Sequence, residues 1–539
     1  MSRRVSAWMN AAACLLAASG ALPLVMGSPA ALEDWPSHVA RVTILLRMNA
    51  GDPFWPQFYE HNTLFLPNIG ADIAIIALTH AGLSVPTAAT CVLLLTYLLF
   101  VGGAWLLAKA NDAADPFKIV LASVLFYNGA LMDGFVNFAL AIAMSLVALS
   151  IWTITHRPSQ RAIVAVIASM IIFFCHLIAA VVFVFVIGLL ELAAALNDLP
   201  PSPASVIRRA SPLAAGVAIL LLLIVSPTAG DHHESTRIWG FNYGDSATVV
   251  QFVKNKAMLF VHPFIDGIGL LGLAILAVGG LLVAGGLLHS VSFRRLSVKP
   301  QPAFIVLVGG MLCLILASPS GFGEGYGLDY RLPPVAAVLA MCFLRLEWRS
   351  LPASIVCFGL LAALSAARSG VLIDQEASNE RVFRSFTAAA ERIPEDSVVL
   401  SAIGTPRNAI PWSAFWDPPA EYMGTLATQA HVFVPSVFAL RSQHSLIMRE
   451  KYRDWFHQFD LSDAASVRTT DTAVDKLCKL WQNEGHRGSV YIAIIYPSSF
   501  SDTAYLPESA LAMDSRFRLV NGCSAQKGIV DNASQNKHS

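Results

Sequence analysis

The chain has 539 residues; 55% are hydrophobic, only 13% are charged, and 36 basic residues balance 36 acidic ones. Soluble domains run near a quarter charged, so this composition excludes an ordinary soluble protein and predicts a polytopic membrane protein. Zero net charge, with no basic run interleaved with aromatics, gives no support to a nucleic-acid partner.

In chain order, Met1-Ser2-Arg3-Arg4 and the apolar run after it have the charged start of a signal peptide. The run is long for one and many spans follow, so an uncleaved first helix is expected. Apolar segments able to cross a ~30 Å hydrocarbon core fall at residues 7–27, 86–108, 117–132, 134–155, 161–175, 177–196, 211–229, 264–289, 303–318, 333–347 and 351–368. That predicts eleven transmembrane helices. Residues 162–196 form one apolar run that would reach about 50 Å as a single helix, so two short spans turning near Cys175-His176 are expected.

Residues 63–83 are apolar on average but carry Asn68, Asp72 and His80. If this segment does not cross, Arg3-Arg4, Arg208-Arg209 and Arg294-Arg295 all fall on the cytoplasmic side, as positive-inside charge bias requires. It is therefore expected to lie along the outer surface, and the odd number of spans leaves the C-terminal region outside. The cytoplasmic connections carry no phosphate-cradling GxxxxGKS or GxxxxGKT and no GxGxxG after a strand.

Polar chemistry gathers in the outer loops. The first holds Glu33-Asp34-Trp35-Pro36-Ser37-His38-Val39-Ala40-Arg41, with two acids, an imidazole and a guanidinium within nine residues. If Ser37 opens a helix, His38 and Arg41 lie one and two turns along it. A carboxylate in a partly dry pocket can serve as general base on a hydroxyl. Asp133 sits in a tight turn between two spans, and His176 is expected either as a core histidine or facing the same outer cavity. Asp329 and Arg331 lie in a glycine-rich bend, where a guanidinium suits either a snorkelling headgroup contact or a phosphate. Asp231, His232, His233 and Glu234 lack the spacing of a zinc site. They leave a divalent metal as an alternative to a solvated or phosphate-contacting loop, and no other cofactor is implied.

Composition changes at about residue 371. Residues 1–370 read as a polytopic transmembrane domain with an outer-face loop at 28–85, and 371–539 as a soluble α/β domain. In the latter a helix is expected at 379–392 and strands at 397–402, 488–496 and 517–521. Trp412, Phe415, Trp416 and Tyr422 are expected to pack in its proline-rich middle, with contact to the membrane surface or a substrate as the alternative. Six cysteines lie in apolar segments; Cys478 and Cys523 are a candidate disulfide if this domain faces an oxidising compartment.

An acidic motif in the first outer loop, a surface helix after it, many spans and an outer soluble domain together resemble the GT-C class of membrane glycosyltransferases. The nearest likeness is to bacterial inner-membrane proteins of the protein-mannosyltransferase and aminoarabinose-transferase kind. The resemblance covers residues 1–368, and its sharp motif is Glu33-Asp34; Leu64-Phe65-Leu66-Pro67-Asn68 has one proline where the common pattern has Pro-Pro-Leu. It implies a polyprenyl-phosphate sugar donor, a lipid or glycan acceptor, and a multi-pass inner-membrane protein with a cytoplasmic N-terminus and a periplasmic C-terminal domain. Carried onto this chain, Asp34, with Glu33 as alternative, serves the acceptor hydroxyl. Arg331, His38, Arg41 and His176 hold the donor phosphate, and Asp133, His232, His233 and Asp329 are accessory. Two other readings are a polar-lipid transporter or flippase and a non-enzymatic envelope-assembly protein. The first would place ionisable groups and repeats in the spans, which are nearly free of acids; the second would make the outer domain a binding module.

Overall fold

The chain is mostly helical. The computed structural model describes residues 3–26, 32–62, 65–197, 209–225, 241–242, 248–265, 272, 274, 277, 296–300, 303–322, 325–348, 351–403, 423–429, 431–435, 437, 444–452, 467–495, 510–513, 517–521 and 523. In order these form α1 (Arg3–Gly20), α2 (Trp35–Asn49), β1 (Tyr59–His61), α3 (Gly70–His80), α4 (Val85–Ala110), α5 (Pro116–Phe126), α6 (Gly129–Met132), α7 (Val136–Ile154), α8 (Pro158–Cys175), α9 (Leu177–Asn197), α10 (Ser211–Val225), α11 (Val249–Met258), β2 (Leu296–Pro300), α12 (Phe304–Ala317), α13 (Leu332–Cys342), β3 (Leu344–Trp348), α14 (Leu351–Ala390), β4 (Val398–Ile403), α15 (Met423–Gln429), β5 (Leu446–Met448), α16 (Val467–Asn483), β6 (Val490–Ile495), β7 (Ala510–Met513) and β8 (Phe517–Asn521).

Among the described residues six helices are long and apolar enough to cross a membrane: Ala7–Met26, Val85–Ala110, Val136–Ile154, Pro158–Cys175, Leu177–Leu196 and Ser354–Ala390. The segments expected as spans at 117–132, 211–229, 303–318 and 333–347 contain shorter apolar helices, and most of 264–289 lies outside the described residues. Contacts divide the chain into two units. One comprises Met1–Met26, Leu64–Ala71 and Thr90–Asp374, the other Gly27–Thr63, Asp72–Ala89 and Gln375–Ser539.

In the first unit the apolar run at 162–196 breaks at His176, whose φ of −167° and ψ of 122° are extended. The break leaves carbonyls at the end of α8 without helical partners, and that of Phe174 accepts from the Ile69 N–H at 2.9 Å. Asn137, in the first turn of α7, also braces this stretch. Its Oδ1 accepts from Ala71 N–H at 2.6 Å and its Nδ2 donates to the Asn68 carbonyl at 2.8 Å. The last expected residues of the 333–347 span are not helical: α13 ends at Cys342, and β3 pairs antiparallel with β2, Leu344 opposite Pro300 and Trp348 opposite Leu296. Arg345 and Glu347 alternate with Leu344 and Leu346, the period of a strand.

The change of composition near 371 is not a break in the chain. α14 is a single 40-residue helix, about 60 Å long, which contains both the expected span at 351–368 and most of the helix expected at 379–392. No proline interrupts it after its second residue, and alanine-rich turns favour helix.

The second unit has a four-stranded sheet in the order β7-β8-β6-β4, in which β4 runs parallel to β6 and β8 antiparallel to it. Its core draws on the first loop, with Ile44, Leu45, Trp55, Phe58 and Tyr59 clustering with Phe386, Phe433, Leu477 and Trp481. Phe58 stacks on Phe433 at 4.5 Å between ring centres and on Trp481 at 5.8 Å. β1 pairs antiparallel with β5, Tyr59 opposite Met448. Residues 44–59 thus pack with the polar C-terminal sequence, because their aromatics complete its core. Cys478 and Cys523 are joined by a disulfide, Cα to Cα 5.9 Å. The four aromatics between Trp412 and Tyr422 lie outside the described residues.

Candidate functional site

The residues expected to carry chemistry fall into two groups, one in each unit. In the second unit, α2 begins at Trp35 with Asp34 as its N-cap and Pro36 in its first turn. The helix therefore opens two residues before Ser37, because proline is pre-organised for a helical first turn. Glu33 and Asp34 are half-buried. The Asp34 carboxylate makes no capping hydrogen bond, and it stands where the helix dipole favours negative charge. α15 crosses this turn closely: a Cβ on Gly424 would lie 3.0 Å from the Pro36 carbonyl oxygen and 3.1 Å from Ser37 Cα.

His38 and Arg41 follow on α2, 7% and 1% exposed, against the equally buried Asp72 of α3. Arg41 meets Asp72 with a two-pronged fork, Nε donating to Oδ2 at 2.7 Å and Nη2 to Oδ1 at 2.9 Å. Arg41 Nη2 also lies 2.7 Å from His38 Nδ1. Burial would push the Asp72 carboxyl up, but the Arg41 charge beside it holds it well below the usual carboxylate range. Burial, then the Arg41 charge, lowers His38. The same two causes lower His444, a fourth buried member of the group, held where Asn62 Nδ2 donates to its carbonyl at 2.9 Å. The Nε–Nη2 edge of Arg41, expected to face a phosphate, is thus occupied by Asp72.

In the first unit, His176 and Arg331 come together. Arg331, at the N-cap of α13, places Nη1 3.0 Å from His176 Nε2. An arginine only donates, so Nε2 accepts and the imidazole proton lies on Nδ1, which has no hydrogen-bond partner among the described residues. The guanidinium carbon sits 3.6 Å above the Phe135 ring and 5.8 Å from that of Phe138, whose edge meets His176. Pro333 and Pro334 remove two of the backbone N–H groups that a helix N-terminus offers to an anion, leaving the guanidinium as the main donor here. Arg331 also lines a small, largely apolar cavity with Phe100, Phe126, Phe138, Ile142 and Val335.

Asp329 does not join Arg331. Its Oδ2 accepts from Lys256 of α11 at 2.6 Å, both side chains being buried. Asp133 is the buried C-cap of α6. His232 and His233, with Asp231 and Glu234, lie outside the described residues; among those described, no three of His, Cys, Asp and Glu are placed to hold a metal ion.

Three contributors escaped the sequence reading. Asp72 was visible as an acid in an apolar helix, a costly placement that signals a buried partner. Lys256 could be read only as one more outer-loop cation, and nothing local marks His444.

No protein-family model matches the chain, and no curated protein matches it. Among solved structures it is similar to the crystal structure of ArnT from Cupriavidus metallidurans bound to undecaprenyl phosphate. The TM-score is 0.50 and the identity 11%, covering 96% of this chain and 98% of that one. At that identity the likeness is one of fold: the chain has an ArnT-like fold.

Proposed function

We propose that the protein is a membrane glycosyltransferase that moves a sugar from a polyprenyl-phosphate donor to a hydroxyl of a lipid or glycan acceptor at the outer face of a bacterial inner membrane. The observation that carries this reading is a likeness in fold over nearly the whole chain to a structure holding undecaprenyl phosphate. Arg331 and His176 support it, as a buried cation and an N–H donor beside an apolar wall, the surroundings that a phosphate joined to a prenyl chain requires.

In this reading Asp34, with Glu33 as alternative, takes the proton of the acceptor hydroxyl. The hydroxyl oxygen attacks the anomeric carbon, the bond from that carbon to the phosphate oxygen breaks, and its electron pair leaves on polyprenyl phosphate. Arg331 and His176 stabilise that departing charge. Arg41 and His38 are assigned to holding the acid-bearing helix, because Asp72 occupies the Arg41 fork.

Binding of undecaprenyl phosphate to the purified protein in nanodiscs tests the donor half. Arg331→Ala is expected to weaken it at least about tenfold, the loss of one charged hydrogen bond, and an unchanged affinity overturns the assignment. The acceptor half is tested by mass spectrometry of envelope glycolipids and glycoproteins from a deletion strain complemented with Glu33→Gln/Asp34→Asn. Full restoration of the missing product by this double variant sinks the base assignment.

A further inference from the structure

The buried group of His38, Arg41, Asp72 and His444 contains one permanent cation and one carboxylate, and its geometry allows one arrangement of protons on His38. Arg41 bears protons on every nitrogen and accepts nothing. With Arg41 Nη2 2.7 Å from His38 Nδ1, that ring nitrogen presents its lone pair. Asp72 Oδ1 is also near Nδ1, at 3.3 Å, but two acceptors form no hydrogen bond, and the carboxylate has its donors in Arg41 Nε and Nη2. The ring proton therefore sits on Nε2.

We propose that the Arg41–Asp72 pair is a positioning pair that locks His38 as an Nε2–H donor on the first turn of α2, one turn beyond the Asp34 N-cap. In this state His38 can donate a hydrogen bond through Nε2 but cannot take up a proton through Nδ1, which leaves the base to Glu33 and Asp34. The pair spans two elements, Asp72 coming from α3 and Arg41 from α2, so the acid-bearing turn and the protonation of its histidine are set together. The functional meaning rests on the reading of Glu33-Asp34 as the acceptor-side acids; the proton arrangement stands on the geometry alone.

The test is nitrogen-15 histidine NMR on the full-length protein in nanodiscs at neutral pH, with the His38 signals assigned by their loss in His38→Gln. The wild type is expected to show Nε2 protonated and Nδ1 bare; a protonated Nδ1 overturns the proposal without recourse to any further variant. Arg41→Met removes the donor and leaves Asp72 as the nearest partner of Nδ1, so Nδ1 is expected to gain a proton, and a bare Nδ1 in that variant also overturns it. In the same nanodiscs Arg41→Met is expected to keep undecaprenyl-phosphate affinity within about twofold, because the Nε–Nη2 edge that would meet a phosphate is already taken by the Asp72 carboxylate. A loss of about tenfold or more, ~1.4 kcal/mol, would make Arg41 a phosphate ligand and overturn its role as a positioning residue. Arg331→Ala reports on the donor site separately, so a failure of the donor reading appears there and leaves the NMR result standing.

Discussion

Asp72 and Arg41 show how far one buried ion pair constrains its neighbourhood. Removing one partner from such a pair leaves the other's charge without its counter-ion, which costs ~3–5 kcal/mol, whereas replacing both by apolar groups of similar volume is often nearly neutral. Asp72→Asn is therefore expected to lower the apparent melting temperature in detergent more than Arg41→Met/Asp72→Leu does; the reverse order would mean that the pair is not closed. A second single-residue constraint lies beside Arg331. A Cβ on Gly129 would collide with the Tyr330 hydroxyl oxygen and lie 2.6 Å from the ring carbon bearing it, so Gly129→Ala must shift the Tyr330 side chain, whose neighbour in sequence is Arg331. Overpacking of this kind costs ~1–3 kcal/mol, and the expected result is weaker undecaprenyl-phosphate binding together with a lower melting temperature. The local chemistry of Glu33 through Arg41 could be read from residue types and spacing. The partner that decides what Arg41 does could not, because Asp72 is brought to it by tertiary packing.

At the scale of elements, hydrophobic patterning found helices well and their ends less well. The interruption at His176 was legible because 35 apolar residues are too many for one crossing. The β2–β3 pair was not, because Leu344–Trp348 follows α13 with no turn signal and its partner lies far back in sequence. α14 shows the limit of composition as a guide to boundaries. The sequence turns polar near 371, yet helix propensity does not fall, and the backbone continues as helix to Ala390. Asp374 is exposed near the middle of that helix, which allows a clean comparison. Asp374→Ala is expected to change stability by no more than about 0.5 kcal/mol, and Asp374→Pro to cost ~3 kcal/mol or more through a lost hydrogen bond and a ring clash. Equal melting temperatures for the two variants would show that α14 is not continuous there.

For the whole molecule, the second unit ties its stability to pH through the same buried group that orders α2. His38 and His444 have folded pKa values below their ordinary 6.5, so below that pH the unfolded chain binds protons that the folded one refuses. Stability is then full above about pH 6.5 and falls as the pH drops further, since it rises with pH wherever the unfolded state holds more protons. Asp72 adds a second loss at lower pH. Its carboxyl is depressed below the ordinary 3.8, so its contribution is present above that value and disappears as the pH falls through the folded one. Thermal melts of the detergent-solubilised protein between pH 8 and pH 4 are therefore expected to be flat at the top and to decline from about pH 6.5 downward. His38→Gln/His444→Gln should flatten the decline between about pH 6.5 and pH 4.5, leaving only the loss that sets in as the pH falls below the ordinary Asp72 value. A decline unchanged in that double variant would place the acid sensitivity elsewhere and remove the buried group as its cause.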